Sequence, residues 1–305
     1  MNIELSLKIL GVLLWLLLTQ LMSAGLESES WIVVLLMFSL LFLMSLSRRL
    51  LEVPEQVQRR ERASMSAAVL LGISFCWMPT PGTALLTLPW LMIRLLSAYD
   101  ALRECRTQGW LSLSQACVLA ARVFPAIGAA WLVAHRANWT PFGFDPLIVL
   151  LTAAHFHHAG FTLPLIAGLH GKARSDGLAC LACAAVLAGV PLVAAGITCT
   201  HFGVVAWMEP LGVSLLVLGS LTVAVLQLRL AWQREQPLSH RMLLGVSGMA
   251  LMTAMVLALC FGLRHVLPGL ALTMPQMWAL HGSLNVFGFG LCGLLGWCLM
   301  NSVKA

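Results

Sequence analysis

Ten runs of 16 to 25 residues, nearly free of charge, follow one another along this chain and fix its fold class. They cover about 5–26, 31–47, 64–79, 83–98, 111–134, 146–169, 178–199, 204–228, 242–263 and 276–300. A bilayer's hydrocarbon core is about 30 Å thick and takes about 20 helical residues, so most of these runs are long enough to cross it. Membrane β-strands are shorter and alternate apolar with polar residues, which these runs do not. The expectation is an all-α polytopic bundle of about ten helices forming a single membrane domain over 1–305.

Composition agrees: 60% of residues are hydrophobic and 10% charged, against about 25% charged in a soluble domain. The net charge of +6 is therefore explained by topology and calls for no nucleic-acid partner. With both termini placed in the cytoplasm, fifteen of the eighteen Lys and Arg residues fall on the inner side. Arg136 and Arg264 fall outside, and Arg122 lies within a helix. That asymmetry follows the positive-inside rule and predicts N-in, C-in. The arginine-rich stretch 48–62 and residues 100–109 read as inner loops. Pro79 and Pro81 interrupt the run 64–98 and predict two short helices. Nine cysteines scattered through apolar runs read as packing residues, including the Cys180 and Cys183 pair.

The run 150–171 carries His155, His157 and His158 near its middle and His170 near its end. Ionisable groups at bilayer depth are costly and usually functional. His155 and His158 share a helix face, while His157 points about 200° away from His155. Pro164 has no N–H and leaves the Gly160 carbonyl without its helical partner. Arg122 lies mid-helix with no carboxylate expected at its depth, a place for a bound anion such as a haem propionate. His281 and Asn285 lie four apart, on one face of the last helix. At about 1.5 Å per residue, His155 and Asn285 both lie about 14 Å below the outer helix ends. Gly288, Cys292 and Gly296 form a small-residue stripe suited to close packing.

Three segments carry a resemblance: Arg122-Val-Phe-Pro-Ala-Ile-Gly-Ala-Ala-Trp131, Leu151-Thr-Ala-Ala-His-Phe-His-His-Ala-Gly-Phe161 and His281-Gly-Ser-Leu-Asn-Val-Phe-Gly-Phe289. Together they resemble the bacterial YndJ-like membrane proteins, which implies a many-helix protein of the bacterial cytoplasmic (inner) membrane. Locally, Ala154-His155-Phe-His157 and Leu280-His281-Gly-Ser-Leu-Asn-Val-Phe287 also resemble the haem-ligating helices of haem-copper oxidase subunit I. That likeness implies axial ligation by His155, His157 and His281. The two helices come in the opposite chain order here, and no copper-binding histidine pair is recognisable.

The leading expectation is an intramembrane site of His155, His157, His158, Arg122, Asn285, His281 and His170. It would bind haem or a transition metal, with His155 and His158 as metal ligands, for redox transfer or sensing. The alternative is a permease in which the same groups bind a small anionic solute or relay protons. A hydrolase fits less well, because no nucleophile elbow or His-Glu-x-x-His motif occurs.

Overall fold

The computed structural model describes residues 3–22, 25, 28–51, 55–109, 111–264, 267–270 and 272–304. Among them it is all helical. The principal helices are α1 (Ile3–Met22), α2 (Glu29–Arg49), α3 (Glu55–Ser74), the short α4 (Pro81–Leu85), α5 (Leu88–Gln108) and α6 (Leu113–Arg136). Then follow α7 (Pro146–His158), α8 (Thr162–Ala173), α9 (Gly177–His201), α10 (Met208–Ala231), α11 (Leu238–Gly262) and α12 (Met274–Met300). Seven stretches are long and apolar enough to cross a membrane: α2, α6, the α7 to α8 run, α9, α10, α11 and α12. The chain is a multi-pass membrane protein.

Two inner loops of the sequence reading are helical instead. The arginine-rich stretch enters α3 at Glu55, and residues 100–108 extend α5 to Gln108. Charged residues end a hydropathy run without ending a helix, because an exposed helical turn satisfies its own backbone whatever side chains it carries. The remaining apolar parts of α1 and α3, Ile9–Leu21 and Ala63–Ser74, are shorter than the seven spans. Between Ser74 and Pro81 the chain leaves the helix. Thr80 and Thr83 form a capping box there, and Pro81 stands at the first helical position, where its missing N–H costs nothing.

The chain divides into two compact units. The first comprises Met1–Trp110 and Ala121–Phe161; the second comprises Leu111–Ala120 and Thr162–Ala305. At the core of the first is α2, buried along most of its length, as a helix that is apolar all round must be. Trp15 of α1 donates its Nε1–H to the Val34 carbonyl of α2 at 2.7 Å and packs edge-on against Phe38.

In the second unit α9 and α10 form an antiparallel pair held by four glycines. Gly189 and Gly196 lie seven apart, as do Gly212 and Gly219. A Cβ at any of them would meet an atom of the facing helix's backbone at 2.6–2.9 Å. Without a hydrophobic driving force between helices in lipid, such close approach is a main source of association. The small-residue stripe of α12 packs similarly, with Gly288 against Ala250 and Gly296 against Leu244 of α11. All nine cysteines are free thiols, and Cys183 donates its S–H to the Ala167 carbonyl of α8.

Candidate functional site

The histidine helix α7 begins at Pro146 behind Asp145, whose carboxylate accepts from the Leu147 amide at 2.8 Å. It ends at His158 in a turn over 159–161, where the Gly160 amide bonds the His155 carbonyl and the Phe161 amide bonds that of His158. Pro164 follows in the first turn of α8, so its missing N–H falls at this interruption. The expected continuous helix over 146–169 is thus two shorter ones. Thr162, 3% exposed, keeps its hydroxyl buried there without a hydrogen-bond partner.

Within the first unit, His157 is fully buried. The Trp90 indole N–H donates to its Nε2 at 3.1 Å, and its Nδ1 lies 2.8 Å from the Ala153 carbonyl. An indole N–H can only donate, so Nε2 accepts and Nδ1 carries the proton. The Arg94 guanidinium, itself buried, stacks 4.7 Å from the Trp90 ring centroid. Gly128 leaves the space the imidazole fills, since a Cβ there would lie 2.6 Å from Nδ1. His155 points elsewhere and is exposed, with Nδ1 hydrogen-bonded to the Leu151 carbonyl at 2.8 Å. His158 is half-buried.

Arg122 is 4% exposed and pairs through Nη1 with Glu104 of α5. This corrects the expectation that no carboxylate reaches its depth. The sequence pattern places Glu104 in a loop, whereas α5 continues to Gln108 and carries it back along the helix to the arginine. Arg136 likewise is no outer-loop residue. Buried at the end of α6, it donates from Nη2 to the Ser74 and Trp77 carbonyls. It thereby caps the end of α3, where the Ser74 carbonyl otherwise receives only a long 3.4 Å bond from the Trp77 amide.

The second unit holds a hydrogen-bonded polar chain that runs across its helices. His170 of α8 bonds through Nε2 to Oε1 of Gln227 on α10 at 3.0 Å. The Gln227 amide donates to Ser247 Oγ on α11 at 3.1 Å, and Ser247 donates to the Phe289 carbonyl on α12 at 3.0 Å. All three side chains are buried. Gly293 of α12 gives them room, for a Cβ there would meet Ser247 Oγ at 2.7 Å. Trp297 packs edge-on against His170 at 5.0 Å.

Farther along α12, Asn285 donates its amide to the His281 carbonyl at 2.8 Å and lies 3.2 Å from His281 Nε2. The carbonyl requires the NH₂ on that side, so Nε2 accepts as well, and His281 Nδ1 donates to the Ala254 carbonyl at 2.9 Å. These residues lie in two π-helical stretches, Met277–Gly282 and Leu284–Leu291. Such irregularities are frequent at functional sites.

Of the expected site residues, Arg122, His155, His157 and His158 belong to the first unit, and His170, His281 and Asn285 to the second. Each buried imidazole among those with assigned partners bonds inside its own unit. Among the described residues, no three His, Cys, Asp or Glu side chains gather within reach of one metal ion. Gln227, Ser247, Trp90 and Glu104 were not anticipated. A glutamine inside the apolar run 204–228 was the one available signal.

The chain has relatives. A family profile described as YndJ-like protein matches residues 33–289. A Bacillus subtilis (strain 168) protein named "Uncharacterized membrane protein YndJ" is 27% identical over 210 residues, which is 68% of this chain and 37% of that protein. The chain therefore spans well under half the length of that relative. No solved structure matches it. The profile match covers most of the chain, including the histidine helix and the π-helical segment around His281, so the chain belongs to the YndJ-like family of membrane proteins.

Proposed function

We propose that this protein is a proton-coupled permease for a small polar solute in the bacterial cytoplasmic membrane. The observation that carries this reading is the buried chain from His170 through Gln227 and Ser247 to the Phe289 carbonyl. Intramembrane chains that contain histidine are the usual material of proton relays. Here the chain ends on a π-helical segment, where the backbone departs from the regular α pattern. Glu104 already neutralises Arg122, so the solute needs no negative charge to satisfy that arginine.

The test is proton flux into liposomes that hold the purified full chain and an internal pH dye, driven by a potassium diffusion potential. Flux above that of protein-free liposomes is expected, with its loss in His170→Gln. Glutamine can still donate to Gln227 but does not titrate. Flux equal to that of protein-free liposomes would remove the reading.

One observation favours a second reading, haem or transition-metal binding. The bond from His155 Nδ1 to the Leu151 carbonyl leaves the Nε2 lone pair on an exposed face, the orientation metal-ligating histidines use. Ligation at His157 would need the Trp90 indole displaced from Nε2. Absorbance spectra and elemental analysis of wild type and His155→Ala decide this reading, and colourless, metal-free wild type rejects it.

A further inference from the structure

Along α11 in the second unit lies an open groove that neither reading uses. One part, about 480 Å³, is lined by Gly245, Met249, Ala250, Thr253 and Leu284 among others. A second part, about 230 Å³, shares Gly245 and continues to Trp232 and Arg241. From Arg241 to Thr253 the helix rises about 18 Å, close to the thickness of one leaflet, half of the roughly 30 Å hydrocarbon core.

The two ends differ chemically. Between its apolar walls Gly245 leaves open space, where a Cβ would meet only the Ala231 Cβ, at 3.9 Å. At the end stand the exposed Trp232 and the Arg241 guanidinium. Arg241 donates from Nε to the Ala231 carbonyl at 3.0 Å, which fixes the side chain at the mouth of the groove. Among the described residues no carboxylate pairs with it. Residues 229–241 hold three arginines against one glutamate, so this end is basic. Tryptophan is enriched at the headgroup level of membranes, which places the groove's mouth where a phosphate would lie.

We propose that this groove is a binding site for one anionic phospholipid, its acyl chain lying along Gly245 and Ala250 and its phosphate on Arg241. A zwitterionic lipid also fits the apolar part, but its headgroup gives the arginine no net counter-charge.

The test uses the full chain in detergent micelles doped equally with phosphatidylglycerol and phosphatidylcholine, with the retained lipid counted by native mass spectrometry. Wild type is expected to retain one phosphatidylglycerol with a preference of about fivefold, the factor one basic residue contributes near an anionic surface. Arg241→Gln should abolish that preference, whereas Arg229→Gln, on an exposed residue that does not line the groove, should leave it intact. Gly245→Leu projects into open space, so the fold tolerates it; it should reduce retention of both lipids. Equal retention by wild type, an Arg241→Gln variant that keeps the preference, or equal losses in the two arginine variants would each overturn the site. Unchanged retention in Gly245→Leu would overturn the acyl-chain placement.

Discussion

Replacing Gln227 by leucine tests the polar chain at its centre. The side chain is fully buried, and leucine keeps much of its bulk while removing both polar atoms. Ser247 keeps its donation to the Phe289 carbonyl, so only the His170 ring N–H is left without a partner. An orphaned buried donor costs about 1–3 kcal/mol in soluble proteins. Polar pairs between membrane helices average about 0.6 kcal/mol with a ceiling near 1.7. The expected loss is therefore about 1–2 kcal/mol, with some strain added where the branched methyls meet α12 at Gly293. Unfolding of the purified protein in mixed dodecyl sulfate micelles measures it. The sharper test adds His170→Phe, which removes the orphan and keeps an aromatic ring against Trp297. The double variant should be more stable than the summed single effects predict. Effects that add within about 0.3–0.5 kcal/mol, as for independent sites, would refute the coupling.

Three further outcomes follow from the geometry. Gly128→Ala drives a methyl into the His157 ring and should destabilise the protein by about 1–3 kcal/mol, read in the same unfolding assay. Glu104→Gln strands the Arg122 charge; the loss should be about 1–3 kcal/mol, below the figure for a wholly buried pair because Glu104 is 37% exposed. Adding Arg122→Leu to that variant should recover most of the loss. Arg136→Leu removes the one amino group, Nη2, that holds both the Ser74 and Trp77 carbonyls, so hydrogen exchange should quicken at the C-terminal turn of α3. Unchanged exchange there would deny Arg136 its capping role.

The apolar runs announced the helices because membrane burial is written residue by residue. Where helices carried charge the reading stopped short, as at the start of α3 and the end of α5, since an exposed charged turn and a loop look alike in hydropathy. That error hid Glu104 from Arg122. The histidines and the His281 and Asn285 pair stood out because ionisable or amide groups are rare in such runs. Their partners did not. The bond from Trp90 to His157 joins residues 67 apart, and the one from His170 to Gln227 joins residues 57 apart. Spacing along one helix holds no record of either. The π-helical stretches of α12 were also invisible, because no residue type marks them.

The glycine contacts between α9 and α10 bear on how the chain is made. Each joins positions near one another in sequence across a short connection, so closing them costs little loop entropy. They can form once residue 219 has left the ribosome, before α11 and α12 have reached the bilayer. The pair would then enter the bilayer already joined, its glycine-flanked carbonyls turned toward protein instead of lipid. On this view a bulky residue at Gly196 or Gly212 injures biogenesis before it injures the finished protein, and its first sign would be a failure of insertion.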